Sequence, residues 1–205
     1  MTYRPEIDGL RALAVILVIF SHAGYSVLSG GFVGVDIFFV ISGYLITSII
    51  ATEKEAGKFT IVGFYERRAR RILPALFLVM LACLPFAWAW LLPSDMKGLC
   101  DSFIAVVAFA SNILFWRTTG YFDPDTELKP LLHTWSLAVE EQFYLGFPLL
   151  LMLLWRLGRR WITATLGAIA LVSLGLAHWG SAARPDLTFY LLPTRAWELM
   201  IGAIV

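Results

Sequence analysis

Long apolar runs separated by short polar junctions constrain this chain more than any other feature. They cover residues 10–26, 32–50, 72–92, 99–116, 132–154, 161–179 and 189–205. A bilayer crossing by an α-helix takes about 20 apolar residues, so the predicted fold is all-α, a polytopic transmembrane helix bundle with about 6–7 spans. Hydrophobic residues make up 59% of the chain and charged residues 15%, where a soluble domain carries about 25% charged. The net charge of +1 gives no bulk-charge case for nucleic acid. Eight Trp, seven Tyr and fifteen Phe suit interfacial anchoring. The first run is followed by a second instead of a small-residue cleavage site, so it is read as a retained helix. Cys83 and Cys100 sit in neighbouring apolar runs and are read as two buried small hydrophobes in preference to a disulfide.

Charge placement sets the expected topology. Lys54, Lys58, Arg67, Arg68, Arg70 and Arg71 fill the second junction, which the positive-inside rule puts in the cytoplasm together with the N-terminus. Arg156, Arg159 and Arg160 come three crossings later, where simple parity would put them outside. The conflict is resolved if the fourth run, weakened by Asp101, Ser102, Ser111 and Asn112, is re-entrant or tilted. Irregular backbone at that depth has to be covered by protein or line a water-filled cavity.

Ionisable side chains inside such runs are candidates for function. Arg11 and His22 are eleven positions apart, which returns them to nearly one helix face, roughly 16 Å apart along the axis. An imidazole can remove and return a proton near neutral pH. That suits deprotonation of a hydroxyl for attack on an activated acyl carbon, whose oxyanion then needs fixed donors. In the second run, Asp36 near a helix start can cap the helix or pair with that His. Ser42 and Tyr44 are either packing residues or substrate donors. Four arginines within residues 67–71 give a topology signal and also suit an anion site, because guanidinium forks match phosphates. His133 and Glu140, seven apart, share one face of the fifth run, and the adjacent Glu140 and Glu141 need partners. Glu140 is expected to neutralise Arg11, to orient a substrate, or to pair helices. Arg195 and Glu198, three apart, read as an intrahelical pair.

Taken together, these pieces resemble the acyltransferase family 3 membrane proteins, O-acyltransferases of surface glycans. The resemblance rests on Ile7-Asp8-Gly9-Leu10-Arg11-Ala12, the spacing from Arg11 to His22, and Gly34-Val35-Asp36 with residues 39–44. It continues through the arginine block at 64–72, residues 135–144, and Arg195-Ala196-Trp197-Glu198, in family order along nearly the whole chain. The resemblance implies Arg11, His22 and Glu140 as catalytic residues. It implies an acyl-coenzyme A donor, usually acetyl, with phosphates on Arg67, Arg68 and Arg71, and no metal. Asp36, Ser42, Tyr44 and Arg195 are the weaker, substrate-binding carry-overs. The implied partners are a glycan or lipid-linked saccharide acceptor and the lipid bilayer of the inner membrane. The family module has about ten spans, so residues 1–205 are expected to be its N-terminal two-thirds. The remaining helices would then be missing or supplied by a partner chain. Two other classes stay open: a proton-coupled transporter or flippase-like protein, and an inactive membrane subunit.

Overall fold

A computed structural model describes residues 4–23, 30–118 and 129–205. The loop at 24–29 and most of the connector at 119–128 lie outside the described residues. The chain runs through α1 (Pro5–His22), α2 (Val33–Glu55), α3 (Ile61–Trp90), α4 (Pro93–Val107), α5 (Ser111–Thr118), α6 (Thr134–Trp155), α7 (Arg159–Ala183), α8 (Pro185–Tyr190) and α9 (Leu192–Ile204). Among the described residues there is no strand. The chain is a multi-pass membrane helix bundle, as the apolar runs predict.

Among the described residues, four helices, α2, α3, α6 and α7, are long and apolar enough to cross a bilayer. The expectation of six to seven counted every apolar run. Helix α1 carries Glu6, Asp8 and Arg11 in its first two turns, run 99–116 is divided between α4 and α5, and run 189–205 is interrupted at Leu191. The arginine block, expected in a connector, forms the first turns of α3, which continues through Pro74 and Pro85. Its start is fixed by Thr60, whose hydroxyl accepts the Gly63 amide.

Helix α6 is the hub. Its Val139, Phe143, Phe147 and Leu151 are buried against Phe39 and Ile50 of α2, Phe64 of α3, Leu166 of α7, Tyr190 of α8 and Leu199 of α9. Glycines set the closest approaches. A side chain at Gly43 would collide with the Leu199 carbonyl, and one at Gly202 with the Val40 carbonyl, so α2 and α9 lie backbone to backbone.

The fourth run is not one continuous helix. Helix α4 shares an apolar cluster with α3 through Leu76, Met80, Ala87, Leu99 and Val106. The backbone then reverses at Phe109, whose φ of 51 is left-handed. Its carbonyl accepts a hydrogen bond from Gln142, two turns into α6, and α5 climbs back until the Thr118 carbonyl meets Lys129. Two of the polar residues that weaken the run, Ser111 and Asn112, close the break together with Gln142 of α6. Gln142 donates to Asn112 Oδ1 at 2.8 Å, Asn112 donates to the Tyr190 carbonyl at 3.1 Å, and Ser111 donates to the Thr134 carbonyl at 3.0 Å. The two basic stretches meet at one end of the bundle: Glu55 and Arg159 line one cavity there, and Arg67 pairs with Glu53. Arg4 reaches the same end by donating to Tyr44, which lines that cavity too.

The cysteines are free, Cys83 half-buried and Cys100 exposed. The expectation that both are buried therefore fails for Cys100. In a bundle facing lipid, apolar character carries no instruction to be inside: Leu78, Trp88 and Leu171 are exposed as well.

Candidate functional site

Helix α1 presents Arg11, Val15, Val18 and His22 at spacings of four, three and four, which is one stripe. Val15, Val18 and Ile19 line a cavity of about 530 Å³. Phe38 and Phe39 of α2, Arg71 and Leu76 of α3, His133 just before α6 and Glu140 of α6 line its other sides. The walls are mostly apolar, and the ionisable groups mark positions along it. Glu140 lies toward the middle of the bundle, and His133 lies at the end to which α1 delivers His22.

The His22 ring is oriented by its own helix: Nδ1 lies 2.8 Å from the Val18 carbonyl. A carbonyl can only accept, so Nδ1 carries the hydrogen and a neutral ring keeps its lone pair on Nε2. The side chain is exposed.

Deeper in, Ser42 donates to Glu140 Oε1 at 2.6 Å, and the Tyr144 hydroxyl belongs to the same group. Arg11 and Arg68 both lie within electrostatic reach of Glu140. The Arg68 guanidinium stands over the Tyr144 ring, 5.9 Å from its centroid. Glu141 is buried beside them, its Oε1 without a hydrogen-bond partner. Of the residues singled out by sequence, Arg11, Ser42, Glu140 and Arg68 thus come together. Tyr144 and Glu141 complete the group without having been assigned a role. Their signal was present, since Glu140 plus four returns Tyr144 to the same face.

The arginine block does not converge on one point. Helical phase turns Arg68 and Arg71 inward, while Arg67 donates to both oxygens of Glu53 at 2.7 Å and Arg70 pairs with Glu66 at 2.7 Å. Asp36, considered as a partner for His22, instead accepts from Arg195 at 2.8 Å. Arg195 also donates to Glu198 at 2.8 Å, as its spacing predicts. Its guanidinium sits 5.5 to 5.7 Å from the ring centres of Phe39, Trp135 and Phe189. This box joins α2, α6, α8 and α9, and the Arg195 donors toward Asp36 and Glu198 are already engaged. Tyr44 is also apart from the Ser42 group, lining the cavity of about 460 Å³ at the basic end.

The family described as "Acyltransferase domain" matches residues 4–205. The O-acetyltransferase OatA of Staphylococcus aureus strain NCTC 8325 is 40% identical over 213 residues, covering 99% of this chain and 34% of the relative. The peptidoglycan O-acetyltransferase OatA of Listeria monocytogenes serovar 1/2a is 39% identical over 209 residues, covering 98% of this chain and 33% of the relative. A putative O-acetyltransferase of S. aureus strain MSSA476 is 37% identical, covering 100% of this chain and 35% of the relative. The chain spans about a third of the length of these relatives. No solved structure matches it.

Proposed function

This chain belongs to the acyltransferase domain family, and from that premise we propose that it acts in a membrane O-acyltransferase. The enzyme passes an acetyl group from acetyl-coenzyme A to a hydroxyl of a cell-wall glycan. The observation that carries the reading is the α1 stripe: Val15 and Val18, between Arg11 and His22, line the cavity that Glu140 and Arg71 close from the other side. The relatives named O-acetyltransferases support the class of reaction and the glycan acceptor.

The basic end faces the cytoplasm by the charge rule. The donor's phosphates dock on the arginine block, with Arg71 at the cavity wall and Arg68 behind it. Arg67, tied to Glu53, contributes less than its neighbours. The acyl carbon advances along the apolar cavity past Glu140, which has Arg11 and Arg68 within electrostatic reach. At the other end Nε2 of His22 removes the acceptor's proton as the new C–O bond forms. The electron pair of the breaking bond departs with the leaving group, and Arg11 helps position the donor as the acyl group enters.

Membrane vesicles supplied with radiolabelled acetyl-coenzyme A and purified cell-wall glycan test this reading. Label should enter the glycan as alkali-labile acetate, with stoichiometric release of coenzyme A, and His22→Ala should stop both. Proton-coupled transport surviving in His22→Ala, with no acyl release from the parent protein, would point to a transporter instead.

A further inference from the structure

A second imidazole at the cavity mouth has no part in the reaction above. His133 immediately precedes α6 and lines the cavity with Glu140, two turns deeper on the same face. On the facing helix Val18 and Ile19 line that cavity, and His22 follows them by one turn. The two imidazoles lie within electrostatic reach of one another, and the Pro130 carbonyl lies against the His133 ring. A neutral ring that gives its single N–H to a carbonyl keeps the other nitrogen free to accept a proton. Among the described residues, the ionisable groups facing His133 are His22 from α1, Arg71 from α3 and Glu140 from α6, while α2 contributes Val35, Phe38 and Phe39.

We infer that His133 is a second proton-handling residue, taking from His22 the proton removed from the acceptor and releasing it to water at the mouth. The inference rests on His22 being the base. With Nδ1–H of His22 held on the Val18 carbonyl, the proton gained at Nε2 has to leave from Nε2 before the next turnover. The balance is simple: the acceptor O–H gives its proton to His22, His22 gives it to the free nitrogen of His133, and His133 gives it to water. The leaving group, the coenzyme A thiolate, keeps the electron pair of the C–S bond and takes its proton from water as it withdraws. Desolvation lowers the His133 pKa below the ordinary 6.5, the Pro130 backbone raises it, and His22 lowers it. The ring is therefore neutral at neutral pH, and readily gives up to water a proton that it has taken.

The test is the pH profile of glycan acetylation in membrane vesicles for the parent protein, His133→Gln and His22→Ala. Glutamine still donates to the Pro130 carbonyl but cannot take up a proton, so it separates support of the loop from proton transfer. A thermal melt of each variant in detergent confirms folding. If both imidazoles must be neutral, the acid limb of the parent has a logarithmic slope of about 2, falling to about 1 in His133→Gln, with the neutral-pH rate down on the order of 10²-fold. A folded His133→Gln with unchanged rate, or with a reduced rate but an unchanged acid limb, overturns the role of His133 and leaves that of His22 standing. Activity surviving in His22→Ala overturns the base itself.

Discussion

Replacing Arg195 by methionine keeps most of the volume of the side chain and removes its charge from the box between α2, α6, α8 and α9. Arg195 is 14% exposed, Asp36 28% and Glu198 1%, and both ion-pair contacts are 2.8 Å. Removing one partner of a buried pair leaves the other charge uncompensated, at a cost of about 3–5 kcal/mol. An exposed pair is worth only about 0–1 kcal/mol. Three aromatic rings around the guanidinium add to the loss. The thermal midpoint of purified protein in detergent should drop by roughly 10 °C for Arg195→Met. Adding Glu198→Gln, which removes the stranded carboxylate, should recover part of that loss, so the double variant melts above the sum of the two single changes. If Arg195→Met melts within about 1 kcal/mol of the parent, as a solvated pair would, the box is not the lock described.

Asn112→Leu leaves the Gln142 amide and the Tyr190 carbonyl without the bonds Asn112 makes. It should cost about 1–3 kcal/mol in a thermal melt, with cleavage by added protease appearing first near Phe109. Arg67→Gln, which breaks an exposed pair with Glu53, should change stability by less than about 1 kcal/mol. Arg71→Gln should raise the KM for acetyl-coenzyme A by about tenfold, the loss of one charge-assisted contact, with Arg67→Gln well below that. Gly202→Val should prevent α9 from seating on the Val40 carbonyl, seen as loss of a monodisperse peak on size-exclusion chromatography.

What the sequence disclosed follows from how far each interaction reaches along the chain. Arg195 with Glu198, and His133 with Glu140, are separated by one or two helical turns, so their shared faces follow from periodicity alone. The pairing of Asp36 with Arg195 spans 159 positions and depends on which helices become neighbours, which spacing does not encode. Arg67, Arg68, Arg70 and Arg71 look like one cluster in sequence, yet 100° per residue separates them into an inward and an outward pair. The break in the fourth run is legible indirectly. Its polar residues weakened the run and the charge rule failed by parity, although the fold alone showed that Ser111, Asn112 and Gln142 secure the break. Burial was the least legible property, because a leucine facing lipid and a leucine facing α6 satisfy the same hydrophobic requirement.

In the proposed reaction one face of α1, and not the helix as a whole, lines the path of the acyl group. Val15 lies on that face and Leu13 on the opposite one, and they are 41% and 52% exposed, so both have room for a larger side chain. Acetyl transfer from labelled acetyl-coenzyme A should fall on the order of 10²-fold in Val15→Trp, as a misplaced reactant would, and stay near the parent value in Leu13→Trp. Equal activity in the two tryptophan variants, whether both retained or both lost, would contradict the account.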